Sequence, residues 1–493
     1  MSFIENVRAN TNTAYTANGA KSNETTLSYL LDFFSKSGAL RGRKEELINY
    51  FSKAYDEDKL LAMKAAVYMR DVRGGQGERQ SFRDVLEYLV KVDADVVRKN
   101  LDLVPEFGRW DDLFVLFGTK LENDMLDFVK AQINKDLKTL EGEDGAVSIL
   151  AKWMPSINTS SAATRALAQK FVANWKTTPK LYRKRLSALR KRIDIVERRM
   201  SAGDWETIDF SRVPSYAIKR YSKAFRKHNE AGYAQFMEKV SKGEAKINSA
   251  TLFPYDIVNN FLGYGRGRNV DEETLNAQWN ALPNYAEDAE NILAVVDTSG
   301  SMMSGMGSVP PINVAVSLGI YLAERIRGPF KDHFITFSEK PKVQKISGVT
   351  IADKVASVNS ASWGYNTDLI AVFKVLLDTA LQNKTSQEEM PAKIVIISDM
   401  QFDQACRSNK RTNFEQIDKM YAKAGYTRPD LVFWNCNASA DNPVTKDETG
   451  TALVSGASPS IFKAVAGSTL EDFSPMNLML EVLNSERYQK VQV

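Results

Sequence analysis

Histidine and cysteine are nearly absent from this chain of 493 residues. It has two histidines, His228 and His333, and two cysteines, Cys406 and Cys436. Two cysteines cannot supply a disulfide framework, and a reducing compartment such as the cytoplasm fits that number. So few of both residues argue against a zinc site, and neither histidine lies in a motif of Ser-His-Asp catalysis. The composition therefore excludes disulfide-rich scaffolds and disfavours zinc proteins and triad hydrolases.

Long apolar runs are also missing. No run approaches the ~20 residues that cross a bilayer. Residues 1–6 lack the basic-then-apolar layout of a secretory signal. Hydrophobic residues still make up 43% of the chain, which at this length is enough for the cores of two or more domains. We therefore expect a multidomain cytoplasmic protein without a membrane partner.

A carboxylate and two hydroxyls come after a short apolar run in the second half of the chain. Residues 292–296 read Ile-Leu-Ala-Val-Val, which is typical of a buried parallel strand, and Asp297, Ser299 and Ser301 come next. Open α/β sheets bind their ligands at the carboxyl ends of such strands. Oxygen donors are what Mg²⁺ prefers. The spacing therefore predicts a divalent-cation site here.

Two later segments extend the same pattern. Residues 393–398 form a second apolar run, and Asp399 comes directly after it. Between the two runs, Thr367 and Asp368 lie in a loop that opens a helical pattern over residues 369–381. Both carboxylates thus come after apolar strands. The alternative is an α/β domain whose Ser, Thr and Asp side chains only cap helices.

Over residues 287–485 this arrangement resembles a von Willebrand factor A domain with its metal-ion-dependent adhesion site. The resemblance implies direct binding of Mg²⁺ or another divalent cation by three hydroxyls and water-mediated binding by two carboxylates. The implied metal residues are Asp297, Ser299, Ser301, Thr367 and Asp399.

The region before residue 286 is predicted to be helical. Apolar residues recur at spacings of three and four between residues 26 and 285, which indicates about a dozen helices and no strand. Stacked helix pairs of the HEAT kind fit this pattern, and a globular helical domain is the alternative. Residues 1–25 are polar and are predicted to form an N-terminal arm. Residues 287–493 alternate strand and helix, as a doubly wound, Rossmann-like sheet requires.

Charge is distributed unevenly along a chain whose net charge is only +4. Residues 151–250 carry 22 Lys and Arg against 8 Asp and Glu, whereas residues 101–150 carry 5 against 11. A local excess of this size in a nearly neutral chain indicates a surface that binds a polyanion.

The basic residues are concentrated in two helical clusters. In the segment Leu181–Met200 the apolar residues fall on one narrow stripe and basic residues cover the rest. The second cluster is interleaved with Tyr216, Tyr221 and Phe225, so it has groups for phosphates and for unpaired bases. A solvated amphipathic helix is the alternative. The predicted RNA-binding residues of both clusters are Arg183, Lys184, Arg190, Lys191, Arg198, Lys219, Arg220, Lys223, Arg226 and Lys227.

Two glycine- and arginine-rich loops add to this prediction. The loop from Arg73 to Arg79 precedes a predicted helix, so its backbone N–H groups can hold a phosphate at the helix N-terminus. It lacks the Gly-Lys-Ser/Thr ending of a Walker A loop. The loop from Gly263 to Arg268 is similar. We include Arg73 and Arg79 among the RNA contacts, with plain turns as the alternative.

A basic helical half ahead of an A domain resembles the TROVE/Ro autoantigen family of RNA-binding proteins. The chain is more similar still to a related, mostly uncharacterised family of phages, bacteria, plants and fungi. The matching stretches are residues 70–79, 107–113, 182–200 and 205–214. The resemblance implies a ring of helical repeats, closed by the A domain, with a positively charged hole for single-stranded RNA ends. Small noncoding RNAs would bind the outer surface.

Three functions compete on these observations. The first is a non-enzymatic RNA-binding protein that acts in RNA quality control or as a ribonucleoprotein scaffold. The second is a protein-interaction scaffold or virion component whose metal grips a partner's carboxylate. The third, a nuclease or other metal-dependent hydrolase, fits least, because phosphoryl-transfer sites commonly use paired metals held by several carboxylates.

Overall fold

A helical region precedes a mixed sheet, which confirms the predicted α + α/β class. The computed structural model describes residues 11–142, 145–262, 271–303, 309–336, 341–361, 368–402, 413–437, 442–467 and 473–493. Within these residues, no helix has both the length and the apolar character that a membrane crossing demands.

The chain divides into two compact units. One comprises residues 1–81 and 246–490 and contains the large sheet, so we call it the sheet unit. The other comprises residues 82–245 and 491–493 and is the helical unit. The boundaries predicted from the sequence, at 25/26 and 285/287, stay a prediction.

Side-chain caps start many of the helices that precede the large sheet. Ser28, Asp58, Ser161, Thr178 and Asn229 each accept a hydrogen bond from a backbone N–H in the first turn. These helices span Tyr29–Lys36, Lys44–Glu57, Lys59–Arg70, Arg79–Val92, Ala94–Lys99, Leu103–Phe107, Glu122–Glu141, Leu150–Trp153, Ala162–Asn174, Pro179–Ile193, Val196–Ala202, Ser215–His228, Glu230–Ser241, Pro254–Val258 and Glu272–Asn280. Short 3-10 turns span Ser37–Ala39, Trp110–Leu116, Trp205–Thr207 and Phe210–Arg212.

One of the predicted helices is two separate helices in the structure. The segment Leu181–Met200 breaks at Asp194, whose backbone has a φ of +55°. Asp and Asn tolerate this left-handed conformation better than most residues. The Asp194 carboxylate then accepts two hydrogen bonds from the Arg199 guanidinium, at 2.7 and 2.8 Å. The prediction of a continuous helix was wrong because the apolar spacing continues across the break.

The polar N-terminal segment contains a small hairpin. Strands β1 (Ala14–Tyr15) and β2 (Lys21–Ser22) pair antiparallel around a turn with Gly19 at a φ of +82°. Ala20 is 2% exposed and belongs to the hydrophobic core beside the large sheet. Residues 14–22 are therefore part of the sheet unit.

The large sheet has six strands in the order β5-β4-β3-β6-β7-β8. All neighbours pair parallel except β4 and the edge strand β5. This is the 3-2-1-4-5-6 order of doubly wound folds. The strands span Ile292–Val296 (β3), His333–Thr336 (β4), Val343–Lys345 (β5), Lys393–Ser398 (β6), Asp430–Asn435 (β7) and Thr451–Ser455 (β8).

Helices cover the sheet, so its central strands are fully buried. Close packing on one side requires Gly319, where a Cβ would lie 2.5 Å from Cγ2 of Val296 at the end of β3. On the other side, Val372 and Phe373 pack in one core with residues of β3 and β6. These helices span Pro311–Arg325, Ile351–Asn359, Leu369–Asn383, Asn413–Ala424, Phe462–Gly467 and Pro475–Leu483, and 3-10 turns span Gly300–Met303, Gln387–Glu389, Pro459–Ile461 and Glu486–Tyr488.

A buried carboxylate ties the C-terminal part of the sheet unit to its first helices. Asp71 is 0% exposed and accepts hydrogen bonds on both oxygens from Arg487, with Nη2 2.7 Å from Oδ1. The Tyr488 hydroxyl and the Arg73 N–H each donate to it at 3.0 Å. Burial alone would raise the pKa of Asp71. The hydrogen bonds and the charge of Arg487 outweigh burial and hold that pKa below its usual value.

We predict that Arg487→Met lowers the stability of the sheet unit by about 2 kcal/mol at neutral pH. The variant leaves the buried Asp71 carboxylate without its charged partner. The 40% exposure of Arg487 limits the loss of stability. Because the folded pKa of Asp71 is lowered, its contribution is present above the ordinary value of 3.8 and is lost as the pH falls through the folded pKa.

Calorimetric melting across pH checks this. The gap between wild type and variant should be constant above about pH 5 and should narrow below about pH 4. Lys446→Met is the control, because Lys446 makes only a 4.0 Å pair with the exposed Asp447 and should cost at most about 0.5 kcal/mol. Equal melting of Arg487→Met and wild type at neutral pH would contradict the prediction.

Candidate functional site

The two predicted acidic ligands lie at the switch point of the sheet. Strands β3 and β6 are neighbours, and Val296 is paired with Ile397. Asp297 comes directly after β3, and its N–H donates to the Ile397 carbonyl at 2.9 Å. Asp399 comes directly after β6. The order of strands reverses between these two, and open sheets bind ligands in the crevice at that point.

Hydrogen bonds arrange the side chains around Asp297. Its Oδ1 accepts from the Ser299 N–H at 2.9 Å, and its Oδ2 accepts from the Ser398 hydroxyl at 2.5 Å. The hydroxyl oxygens of Ser299 and Ser301 are 3.0 Å apart. Asp399 Oδ1 accepts from the Gln401 N–H at 3.2 Å. The structure therefore brings together four of the five predicted metal residues, and Thr367 lies outside the described residues.

Burial dominates the electrostatics of this cluster. Asp297 is 0% exposed and Asp399 is 2% exposed. Burial raises the pKa of Asp297 to about 6, and the nearby charge of Asp399 acts in the same direction. Burial also raises the pKa of Asp399, partly offset by a hydrogen bond with Ser301. The protein thus holds two acidic groups where a negative charge is unfavourable.

The donor set fits a hard divalent cation. Its side chains supply oxygen atoms only, which suits Mg²⁺ and does not suit soft metals. A cation between two buried carboxylates would also relieve their repulsion. Across the described ranges, no cluster of three or more His, Cys, Asp or Glu side chains is placed to hold a metal ion.

Ser398 belongs to the cluster but was not among the predicted site residues. This residue ends β6, and its hydroxyl orients Asp297 from the neighbouring strand. A hydroxyl at the last position of an otherwise apolar run is the signal that identifies it.

The predicted RNA contacts differ in exposure. Arg190, Lys219 and Arg226 are half-buried. Two of the predicted residues belong to the sheet unit and the other ten to the helical unit. The exposed ones are Arg73, Arg79, Arg183, Lys184, Lys191, Arg198, Arg220, Lys223 and Lys227.

Arg190 is engaged within the protein. Its Nε and Nη2 donate to the carbonyls of Ala151 and Met154, at 2.8 and 2.7 Å, and Nη1 donates to the Ser156 hydroxyl at 2.9 Å. Burial lowers its pKa. The guanidinium thus satisfies carbonyls at the end of helix Leu150–Trp153, so replacing it would disturb the fold as well as the surface charge.

The loop from Arg73 to Arg79 uses its own backbone donors. The N–H groups of Gly75 and Gly77 donate to the Asp71 carbonyl at 3.2 and 3.1 Å, and those of Gln76 and Glu78 donate to other carbonyls of the same helix end. These groups are not free for a phosphate, so that part of the prediction was wrong. The similar loop from Gly263 to Arg268 lies outside the described residues.

The aromatic residues of the second basic cluster fall into three classes of exposure. Phe225 is 0% exposed and packs in an aromatic core with Phe210 and Tyr233. Tyr221 is half-buried, and its hydroxyl lies 3.4 Å from a Glu197 oxygen. Tyr216 is 56% exposed, with the Lys219 ammonium 5.4 Å from its ring centroid. Tyr216 is therefore the most exposed of the three rings.

Two family models match successive parts of the chain. A family model described as "Domain of unknown function (DUF2828)" matches residues 16–132 and 110–290, which is more than half of the chain. The chain therefore belongs to this family, and the predicted likeness to an uncharacterised family is confirmed. A second model, "Domain of unknown function (DUF7788)", matches residues 291–487, which include the whole large sheet.

An uncharacterised protein of Acanthamoeba polyphaga mimivirus is 31% identical over 514 aligned positions, covering 96% of this chain and 87% of that protein. Among solved structures, the chain is similar to the crystal structure of the Ro (RSR) protein of Deinococcus radiodurans. That match has a TM-score of 0.36 and 14% identity, and covers 90% of this chain and 99% of the other. A TM-score this low does not establish that the two chains share a fold.

Proposed function

We propose that this chain is a non-enzymatic RNA-binding protein whose helical unit carries the RNA-binding surface. The observation that carries the proposal is exposed positive charge without carboxylate partners. Among the described residues, none of Arg183, Lys184 and Lys191 pairs with a carboxylate. The two acids of that segment are already engaged, Asp194 by Arg199 and Glu197 by a tyrosine.

The uneven charge and the sequence resemblance to TROVE/Ro proteins support the same proposal. Polyanion binding explains why 22 Lys and Arg face only 8 acids within residues 151–250 of a chain with net charge +4. Single-stranded ends or small noncoding RNAs are the ligand class that the resemblance implies. The HEAT-like ring, the von Willebrand A assignment, the cytoplasmic location and the lack of enzymatic activity remain predictions.

Reversal of three exposed charges tests the surface. Arg183, Lys184 and Lys191 changed together to Glu should weaken binding to single-stranded RNA and flatten its salt dependence, because each neutralised phosphate contributes roughly −0.7 to the log–log slope. Arg190 is left intact, since its hydrogen bonds hold the fold. Fluorescence anisotropy across a salt series measures both effects.

The matched control is the same reversal on another helix of the helical unit. Lys130, Lys135 and Lys138 are exposed on helix Glu122–Glu141. Changing these three lysines to Glu gives an equal change in net charge. It should leave most of the salt dependence of RNA binding unchanged. Equal losses in both triple variants would indicate only net charge, and no loss in the first would favour the scaffold function.

Tyr216 separates base stacking from phosphate binding. Stacking of one base on an aromatic ring is worth about 1–3 kcal/mol, so Tyr216→Ala should weaken single-stranded RNA binding at least about fivefold. Duplex binding should change little, since paired bases do not splay out. Tyr216→Phe keeps the ring and should bind nearly as wild type. The 56% exposure of Tyr216 predicts an unchanged melting temperature, so a drop would point to packing instead.

We also propose that the sheet unit binds Mg²⁺ or another divalent cation. Asp297, Ser299, Ser301 and Asp399 would hold it, and the bound ion would offer a position for an acidic group. The buried carboxylates and the 3.0 Å approach of the two serine hydroxyls support this. A protein scaffold or virion component that grips a partner's carboxylate through this ion is the alternative function. With two carboxylates the set is poor for paired-metal hydrolysis.

Melting in Mg²⁺ tests the metal proposal. The wild type should be stabilised by about 2.7 kcal/mol at a hundredfold excess over Kd, because the ion binds only the folded state. Asp297→Asn should lose this response. Without metal it should be at least as stable as wild type, since one of two repelling buried charges is gone. Asp353→Asn, which changes an exposed capping acid, should keep the response. A wild type indifferent to divalent cations would refute the site.

A further inference from the structure

The N-terminal hairpin is attached to the backbone immediately after Asp399. The Thr16 hydroxyl donates to the Phe402 carbonyl at 2.7 Å, and the Asn18 amide donates to the Gln401 carbonyl at 2.8 Å. The Ala17 N–H donates to Gln401 Oε1 at 2.7 Å. Three hydrogen bonds thus join the hairpin to two consecutive residues that lie more than 380 positions away in sequence.

The segment that receives these bonds has a strained backbone. Met400 is 2% exposed and has a φ of +65°, a left-handed conformation that a long side chain rarely adopts. Such a conformation persists only where the surroundings enforce it. Met400 lies directly between Asp399 and Gln401, and the Gln401 N–H donates to the Asp399 carboxylate at 3.2 Å. Held on one side by β6, the turn is held on the other by the hairpin.

We propose that the N-terminal hairpin positions the Asp399 carboxylate for the cation, with Gln401 as the positioning residue that links them. The inference rests on the proposed metal site. Hydrogen bonds from the hairpin fix the carbonyl and the side chain of Gln401. The Gln401 N–H is then aimed at Asp399, and the strained turn stays in the one conformation that presents the carboxylate beside Asp297. The hairpin would thus support a metal ligand that lies more than 380 positions away in sequence.

The hairpin offers a matched pair of anchors for the test. At its other end, the Ser22 hydroxyl and the Asn23 amide donate to the Asn442 carbonyl at 2.8 and 3.1 Å. Each end thus has two side-chain donors on backbone carbonyls, and only one end reaches the Asp399 turn. A double variant at each end removes two such bonds, and Thr16→Val also removes the acceptor of the Ala20 N–H, at 3.0 Å within the hairpin.

The experiment compares Thr16→Val/Asn18→Ala with Ser22→Ala/Asn23→Ala in the full chain. Isothermal titration with Mg²⁺ alone should give an affinity about fivefold weaker for the first pair and close to wild type for the second. In metal-free protein, amide hydrogen exchange at residues 399–402 should accelerate in the first pair only. Thr16→Ser with Asn18 intact keeps the hydroxyl donor and should bind as wild type.

The outcomes separate this inference from the proposal beneath it. No Mg²⁺ binding by the wild type removes the metal site and the inference with it. Wild-type affinity in both double variants overturns the inference and leaves the metal site standing. Equal weakening in both would mean that the hairpin acts through general stability, which also overturns it. RNA affinity should not change in any of these variants.

Discussion

Parallel pairing of β3 with β6 forces two acidic side chains into one buried place. Parallel neighbours end at the same edge, and the pairing of Val296 with Ile397 leaves a stagger of only one residue between Asp297 and Asp399. Burial raises the pKa of both groups. The features around them reduce this cost: the serine hydroxyls supply hydrogen bonds, and the donor set suits a divalent cation. The sheet topology thus buries two carboxylates side by side, and the hydroxyls around them offset part of the free-energy cost of their burial.

The sheet and its acidic edge were predictable because the signals are local. Strands buried on both faces, such as Ile292–Val296, appear as continuous apolar runs, and the residue directly after each run must lie at the edge of the sheet. Ser398 escaped because motif spacing along one strand says nothing about a donor on the next. The break at Asp194 escaped because apolar periodicity records which face a residue occupies and not its φ. The helical stripe continues through the break, so the pattern alone cannot show it.

For the basic surface, the sequence shows which residues are charged but not which groups their side chains bind. Lys184 and Arg190 both lie outside the apolar stripe of the helical wheel, yet one is exposed and the other donates three hydrogen bonds within the protein. A guanidinium has five donors in a planar fork and readily satisfies helix-end carbonyls, whereas an exposed ammonium stays hydrated. The same limit applied to the loop around Gly75, where the glycines serve a tight turn about Asp71 and the N–H groups are used internally.

Composition says least about the hairpin and its contacts. A polar segment with few large apolar residues has little to bury, so its composition predicts an N-terminal arm. Its attachment uses backbone carbonyls, which every residue has and no sequence pattern marks, together with one small side chain, Ala20, in the core. Such bonds are individually weak but directional. They therefore add little to the stability of the sheet unit and much to the orientation of the groups they touch. Orientation matters at the strained turn beside Asp399, because in the proposed metal site a carboxylate displaced by a fraction of an ångström would no longer share a cation with Asp297.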